Sequence, residues 1–218
     1  YCEANLGLLL HILRTSKDAV VRANAVIGLG DVAVCFGTLV DENSERLFAG
    51  LGDADLGVKK NTLMVLTHLI LNGMIKVKGQ LGELAKCLED DEMRVSDLAK
   101  LFFSELAMNE NAVYNHLPDI ISHLSTGEHA VDETTFMNTM RFIFTFIDKE
   151  RQAENVIEKL CQRFRLTTEE RSWRDIAYCL SLRPYRSERS IKKLVDALPF
   201  YQDKLYVPEV HQRFTEIL

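Results

Sequence analysis

Apolar residues recur along this chain with the spacing of amphipathic helices. One such stripe consists of Leu81, Leu84, Ala85 and Leu88. This i, i+3, i+4, i+7 spacing places side chains on one helix face, and it recurs in segments 136–147 and 191–198. All eleven glycines lie at or before Gly127 and all four prolines lie after residue 117. Long stretches are therefore free of helix breakers, and the pattern predicts an all-α chain.

The helical pattern repeats about every 37 residues along the sequence. The first helix of each repeat aligns Leu10, Leu47, Leu84 and Ile121. The second, more apolar helix aligns Leu29, Leu66, Phe103 and Met140. Between the two helices, an acid stands three residues before a valine: Asp18, Asp55 and Glu92. Hairpins of this length resemble HEAT repeats, which stack to bury apolar faces that one hairpin cannot bury alone.

This register predicts an α-solenoid of HEAT-like helical hairpins. We expect about four repeats in residues 1–150, with residues 151–218 closing the same solenoid as atypical C-terminal helices. The acids at the turns are expected to cap the second helices. Near the C-terminus, Thr167 and Glu170 predict a capping box and Ser187 another N-cap.

The segment AVIGLGDVAV, residues 25–34, matches the Gly-x-Gly-x-x-Ala form of a dinucleotide-binding turn. The repeat register instead places it inside a second helix, because an apolar helical stripe runs through it. Gly30 shares its column with Thr67 and Ser104, and such uniformly small residues predict the close approach of a neighbouring helix. We interpret the segment as a packed helix and expect no nucleotide cofactor.

Composition narrows the protein class further. The chain has 218 residues, of which 47% are hydrophobic and 27% are charged, so it can bury a core. Its formal net charge of −6 makes the whole chain a poor polyanion binder, although a local basic face remains open. No uncharged apolar run approaches the roughly 18 residues of a membrane span, and no signal pattern follows Tyr1. Such a start suggests a piece of a longer chain.

Cysteines and histidines give little indication of chemistry. The five scattered cysteines lack metal-ligand spacing and are predicted to be buried thiols in a reducing compartment: Cys2, Cys35, Cys87, Cys161 and Cys179. His116, His123 and His129 lack a HExxH motif or a companion cysteine pair, so we interpret them as ordinary histidines rather than metal ligands. The acids 89–92 lie at a helix end, where capping explains them. We expect neither an enzyme nor a cofactor.

Three segments are longer than generic HEAT signatures: MIKVKGQ (74–80), NAVYNHLPDIIS (111–122) and EKLCQRFR (158–165). They resemble one family, condensin subunit 1, the D-type non-SMC subunit of condensin, in its C-terminal HEAT region. The resemblance runs from about Asp18 to Lys204. It implies a non-catalytic scaffold that binds the kleisin subunit, contacts the SMC ATPase heads and takes part in DNA capture during mitotic chromosome condensation.

The resemblance further implies localisation in the nucleus and on chromosomes, with the cytoplasm in part of the cell cycle. It implies no membrane or small-molecule partner. The related subunit of the second condensin complex is an alternative. Another alternative is a different HEAT adaptor, such as a transport or trafficking scaffold, whose surface binds protein only.

A basic segment from Arg163 to Lys193 is the first candidate binding surface. The segment contains only four acids but nine bases. The bases are Arg163, Arg165, Arg171, Arg174, Arg183, Arg186, Arg189, Lys192 and Lys193. Several flank apolar stripes, so we expect them to face solvent and to neutralise the phosphates of double-stranded DNA. The alternative is a solvated helix face on which Arg171 and Arg174 pair with Asp175 or Glu170.

A second candidate surface involves four lysines. Lys59 and Lys60 begin a second helix and Lys76 and Lys78 follow its end, so the two pairs lie roughly 25 Å apart and cannot form one patch. The short loop at Lys76 and Lys78 is expected to contact protein or DNA, with Gly79 permitting an unusual turn. The alternative is a tolerated helix connection.

The helix at 136–147 is apolar nearly all round, so we expect it to be buried between repeats, with a partner-peptide groove as the alternative. Trp173 is expected in the core because Ile176 and Leu180 share its helix face.

Overall fold

The computed structural model describes residues 2–77, 79–109, 111–183, 185 and 187–217. These residues form α-helices, short 3-10 turns and loops, with no strand among them. The α-helices are α1 (Cys2–Thr15), α2 (Ala19–Asp41), α3 (Ser44–Phe48), α4 (Leu56–Leu71), α5 (Leu81–Lys86), α6 (Met93–Met108), α7 (Ala112–Ser125), α8 (Glu133–Ile143), α9 (Glu150–Arg163), α10 (Glu170–Ser181), α11 (Glu188–Asp196), α12 (Leu198–Tyr201) and α13 (Pro208–Ile217). The all-α prediction is confirmed.

The chain forms two compact units, Tyr1–Met108 and Asn109–Leu218. In the first unit, α1, α3 and α5 are the first helices of the repeats and alternate with the second helices α2, α4 and α6. Helix α2 packs against both α1 and α4. In the second unit, α10 packs against α7, α8, α9 and α13. Each unit is therefore a stack of helices in the α-solenoid manner. The finer grouping into residues 1–150 and 151–218 stays a prediction.

Two of the three predicted acids, Asp18 and Asp55, cap their second helices. Asp18 accepts a hydrogen bond from the Val20 amide at 2.8 Å, and Asp55 accepts one from the Val58 amide at 3.0 Å. Each bond satisfies an amide that has no partner within its own helix.

The two predicted caps near the C-terminus have different outcomes. Ser187 caps α11 by accepting a bond from the Ser190 amide at 3.2 Å, as predicted. The capping box at Thr167 and Glu170 is wrong. The N-cap of α10 is Glu169, so Thr167 lies two residues too early and accepts only a long 3.4 Å bond from the Glu169 amide.

Ion pairs join consecutive repeats of the first unit at equivalent positions. The guanidinium of Arg22 donates to both carboxylate oxygens of Asp53, at 2.7 and 2.8 Å, and Lys59 Nζ contacts Asp90 at 2.7 Å. The Arg22 guanidinium holds the pKa of Asp53 below its ordinary value. Each pair links one second helix to the turn before the next. One repeat later, the equivalent positions are occupied by Ser96 and Gly127, which carry no charge.

The glycine-containing segment 25–34 lies inside α2, which confirms that it is not a strand-to-helix turn. A Cβ atom at Gly30 would lie 3.1 Å from Val65 Cγ1 on α4, so the expected close approach of a neighbouring helix is confirmed. A Cβ atom at Gly28 would lie 3.8 Å from Leu9, which is an ordinary van der Waals distance.

Helix α2 differs from the other second helices in length and apolarity. By these measures alone it could cross a membrane. However, it carries Arg22 and Asp31, and it packs against α1 and α4. Its backbone leaves the helical region at Phe36, with φ −135° and ψ 48°, so the last turns continue at a kink.

The cysteines follow the prediction of burial with one exception. Cys87, Cys161 and Cys179 are free buried thiols, and burial raises the pKa of Cys87 and Cys161 to about 12. Cys35 is exposed, contrary to the prediction. It shares its repeat column with Asn72 and Asn109, which are also exposed. The Cys2 side chain lies outside the described part.

The aromatic segment formed by α8 and the 3-10 turn that follows it is mostly buried, as expected. Phe136 and Phe144 are buried, whereas Phe142 and Phe146 are half-buried and pack edge to face at 5.2 Å. Trp173 is also half-buried rather than fully in the core, because its indole nitrogen donates to the Thr167 carbonyl at 3.0 Å.

Replacing Gly30 with Leu should destabilise the first unit, because three further side-chain carbons beyond Cβ must fit where Val65 already lies. We expect a loss of about 1–3 kcal/mol in the free energy of unfolding. The measurement is a urea titration followed by circular dichroism. Gly28→Ala is the control, since it should gain up to about 1 kcal/mol from helix propensity. Equal effects of both changes would contradict close packing at Gly30.

Candidate binding interface

The loop after α4 begins with a regular helix stop. Gly73 adopts a left-handed conformation with φ +67°, and its amide donates to the Ile70 carbonyl at 3.0 Å. The Met74 amide donates to the Leu69 carbonyl at 2.8 Å. These two bonds form a Schellman motif, which turns the chain sharply out of the helix.

The same loop is fixed against the last turns of α2. The backbone amide of Lys76 donates to the Asp41 carboxylate at 2.7 Å. A Cβ atom at Gly37 would lie 2.9 Å from the Met74 carbonyl oxygen, so only glycine admits this approach. Sequence reasoning missed both Asp41 and Gly37. The signal was the position of each about 35 to 37 residues before its contact, which is one repeat length.

The loop therefore presents a lysine from an anchored backbone. The Lys76 side chain is exposed, and Gly79 has φ +89°, which confirms the expected unusual turn. Lys78 lies outside the described residues. A backbone held at two points loses little further freedom when a partner binds to it.

The lysines at the start of α4 are placed differently. Lys59 pairs with Asp90 across the repeat boundary, and Lys60 is half-buried. The ammonium of Lys59 is thus already used to join two repeats. Of the three lysines of this set that the structure describes, Lys76 is the one that is exposed.

Several arginines of the basic segment point into the second unit instead of into solvent. Arg171 contacts the buried carboxylate of Asp175 at 2.8 Å and the Val131 carbonyl at 3.1 Å. Burial raises the pKa of Asp175 to about 6, although the charge of Arg171 opposes this shift. Arg183 donates to the Ile147 carbonyl. These two guanidinium groups satisfy polar groups between helices.

Other bases of the segment form pairs near the surface. Arg174 pairs with Glu170 at 3.2 Å and Lys193 pairs with Glu158 at 2.7 Å. The pairing anticipated for Arg171 and Arg174 is therefore present. Exposed pairs of this kind contribute little to stability, because water screens them and both side chains lose entropy.

Arg163 lines a polar cavity of about 310 Å³ within the second unit. It donates to the Ser122 hydroxyl and lies 3.6 Å from the Asp119 carboxylate. Burial lowers the pKa of the Arg163 guanidinium. Further lining residues are Ser125, Thr126, Thr167 and Ser172.

Three bases of the segment remain exposed: Arg165, Arg189 and Lys192. None of them forms an ion pair with another residue that the structure describes. The Arg165 guanidinium lies 5.1 Å from the centre of the Phe200 ring and forms a cation–π contact with it. Arg186 lies outside the described residues.

Two of the three histidines considered as metal ligands in the sequence analysis stack on each other. The rings of His123 and His129 stack with their centroids 4.6 Å apart, and His116 is half-buried on α7.

Comparison with known proteins gives a consistent set of similarities. The profile of a family described as "non-SMC mitotic condensation complex subunit 1" matches residues 20–181. Condensin complex subunit 1 of Saccharomyces cerevisiae is 47% identical over 86% of this chain, and its Homo sapiens counterpart is 42% identical over 100%. The chain spans 16% of the length of each. Condensin-2 complex subunit D3 of Mus musculus is 27% identical over 58% of this chain and 9% of that protein.

Proposed function

The chain belongs to the condensin subunit 1 family, and we propose that it acts there as a non-catalytic helical-repeat scaffold that binds the kleisin subunit and the SMC ATPase heads. Its place of action would be the nucleus and the chromosomes, and the cytoplasm for part of the cell cycle. Family membership favours this function over that of a transport or trafficking adaptor. The 47% identity to a subunit 1, against 27% to a D3 subunit, favours the first condensin complex over the second.

The observation that carries the proposal is the anchored loop between α4 and α5. Its backbone is fixed by Asp41 and by the contact at Gly37, while the Lys76 side chain is exposed. An exposed ammonium on a backbone bonded to Asp41 suits a partner surface that offers carboxylates or carbonyl oxygens.

Charge reversal of the loop, Lys76→Glu with Lys78→Glu, should weaken binding to kleisin or SMC head fragments by tenfold or more. The folded chain should keep its thermal midpoint, because the Lys76 side chain is exposed and its backbone bond to Asp41 is unaffected. The measurement is a quantitative pull-down with purified fragments, together with a thermal melt.

The matched control is Arg14→Glu with Lys17→Glu, which makes the same change in net charge at exposed positions near the end of α1. This control should bind as tightly as the parent chain. Equal loss of binding in both variants would contradict a specific role of the loop, and loss of binding together with an equal loss of thermal stability would mean that the loop is structural.

Contact with double-stranded DNA is a second proposed function, supported by the three exposed bases of the basic segment from Arg163 to Lys193. Arg165, Arg189 and Lys192 have no ion-pair partner among the described residues and are free to meet phosphates. The other described bases of the segment are engaged with carboxylates, carbonyls or hydroxyls of the protein, so we assign the phosphate contacts to these three.

Replacing Arg165, Arg189 and Lys192 by Glu should abolish a bandshift with duplex DNA that the parent chain gives at about 50 mM salt. In the parent chain, three phosphate contacts predict a slope near −2.7 for the logarithm of affinity against the logarithm of salt concentration. Arg14, Lys17 and Arg94 replaced by Glu make the charge-matched control and should preserve the shift. No shift by the parent chain at 50 mM salt would exclude DNA contact by this segment.

A further inference from the structure

The second helices of the first unit leave apolar side chains exposed at matching positions. One row consists of Ile27, Met64 and Leu101, and these side chains are 46%, 54% and 55% exposed. A second row lies two helical turns further along: Val34, Leu71 and Met108. Val34 is 56% exposed, Met108 is 80% exposed and Leu71 is half-buried. We name these two sets the exposed apolar rows.

Each row has one member on each of three neighbouring helices, because its residues occupy equivalent positions of the repeat. Their members lie on α2, α4 and α6, and α4 packs against both of its neighbours. Packed helices lie about 8–10 Å apart, so consecutive members of a row are separated by roughly that distance. Isolated exposed apolar side chains are ordinary, but a regular row across three helices is a feature of binding surfaces.

A polar row runs between the two apolar rows. It consists of Asp31, His68 and Glu105, all exposed. Within the described part of the chain, neither Asp31 nor Glu105 has an ion-pair partner. The two carboxylates therefore give this face a local negative charge at both ends, next to apolar contacts.

We propose that this face binds an extended segment of a partner polypeptide that carries an apolar side chain at every third residue and basic side chains between them. The segment crosses α2, α4 and α6, its apolar residues lie on the first apolar row, and its bases pair with Asp31 and Glu105. The site is separate from the lysine loop, and it goes beyond the proposed function by naming a face and the sequence pattern that fits it.

The spacing of the row selects the extended conformation. A polyproline II segment has three residues per turn and rises about 3.1 Å per residue, so one of its faces recurs every 9.3 Å or so. This period agrees with the separation of packed helices. A β-strand presents one face about every 6.7 Å and would lose register with the row after one contact.

The test uses the full 218-residue chain and a fluorescein-labelled peptide of four Leu-Pro-Lys triplets, measured by fluorescence anisotropy. We expect saturable binding that Met64→Glu weakens by tenfold or more. Asp31→Lys with Glu105→Lys should weaken binding several-fold at low salt, with less effect at high salt. Leu166→Glu is the matched control, because Leu166 is an exposed apolar residue in the other unit and should be without effect.

A shuffled peptide of the same composition, without the three-residue spacing, should bind at least tenfold more weakly. The proposal is overturned by the absence of binding at about 1 mM peptide, by equal binding of the shuffled peptide, or by equal loss with Leu166→Glu. Tighter binding of a helical peptide with the same apolar residues would exclude the extended occupant. Since no condensin subunit is used, this result and that of the pull-down can fail independently.

Discussion

The ion pair between a base near the start of one second helix and the acid before the next sets the register of the first unit. Two such pairs occupy the same two columns of the repeat: Arg22 with Asp53, and Lys59 with Asp90. Each acid also accepts a hydrogen bond from the backbone amide two residues later. The carboxylate thus shapes its own turn and positions the preceding helix at once. A shift of one helix by a turn would separate both contacts.

The surfaces of the first unit depend on that register. Close packing at Gly30 brings α2 and α4 together, and the loop after α4 reaches back to the end of α2 through Asp41. The lysine loop is therefore positioned by the repeat before it. The exposed apolar rows likewise form a face only because equivalent residues lie side by side on successive helices. The next members of the two charge-pair columns, Ser96 and Gly127, carry no charge, so the series of ion pairs ends with Lys59 and Asp90.

Much of this organisation could be predicted from sequence because it rests on periodic, local signals. The helices, the aspartate caps and the small-residue column at Gly30 all follow from spacing and side-chain size. The predicted start of α10 was wrong by two residues, since Thr167 and Glu170 satisfy the capping pattern although the chain becomes helical only after Glu169. The predicted burial of Cys35 was wrong because apolar neighbours in the sequence do not place a residue on the buried face of its helix.

The basic segment shows the main limit of sequence reasoning here. Spacing indicates which helix face an arginine occupies, but its long side chain can reach a buried carboxylate or a carbonyl of another helix. Arg171 and Arg183 do so, while Arg165 and Lys192 remain exposed in the same segment. Only the packed structure separates these two groups.

The most direct test of the account is a double-mutant cycle on Lys59 and Asp90, using Lys59→Met, Asp90→Asn and the combined change. We predict a favourable coupling of at least about 0.5 kcal/mol in the free energy of unfolding, because either single change leaves the other partner without its contact. Strictly additive effects of the two changes would contradict the claim that this pair sets the register of the repeats.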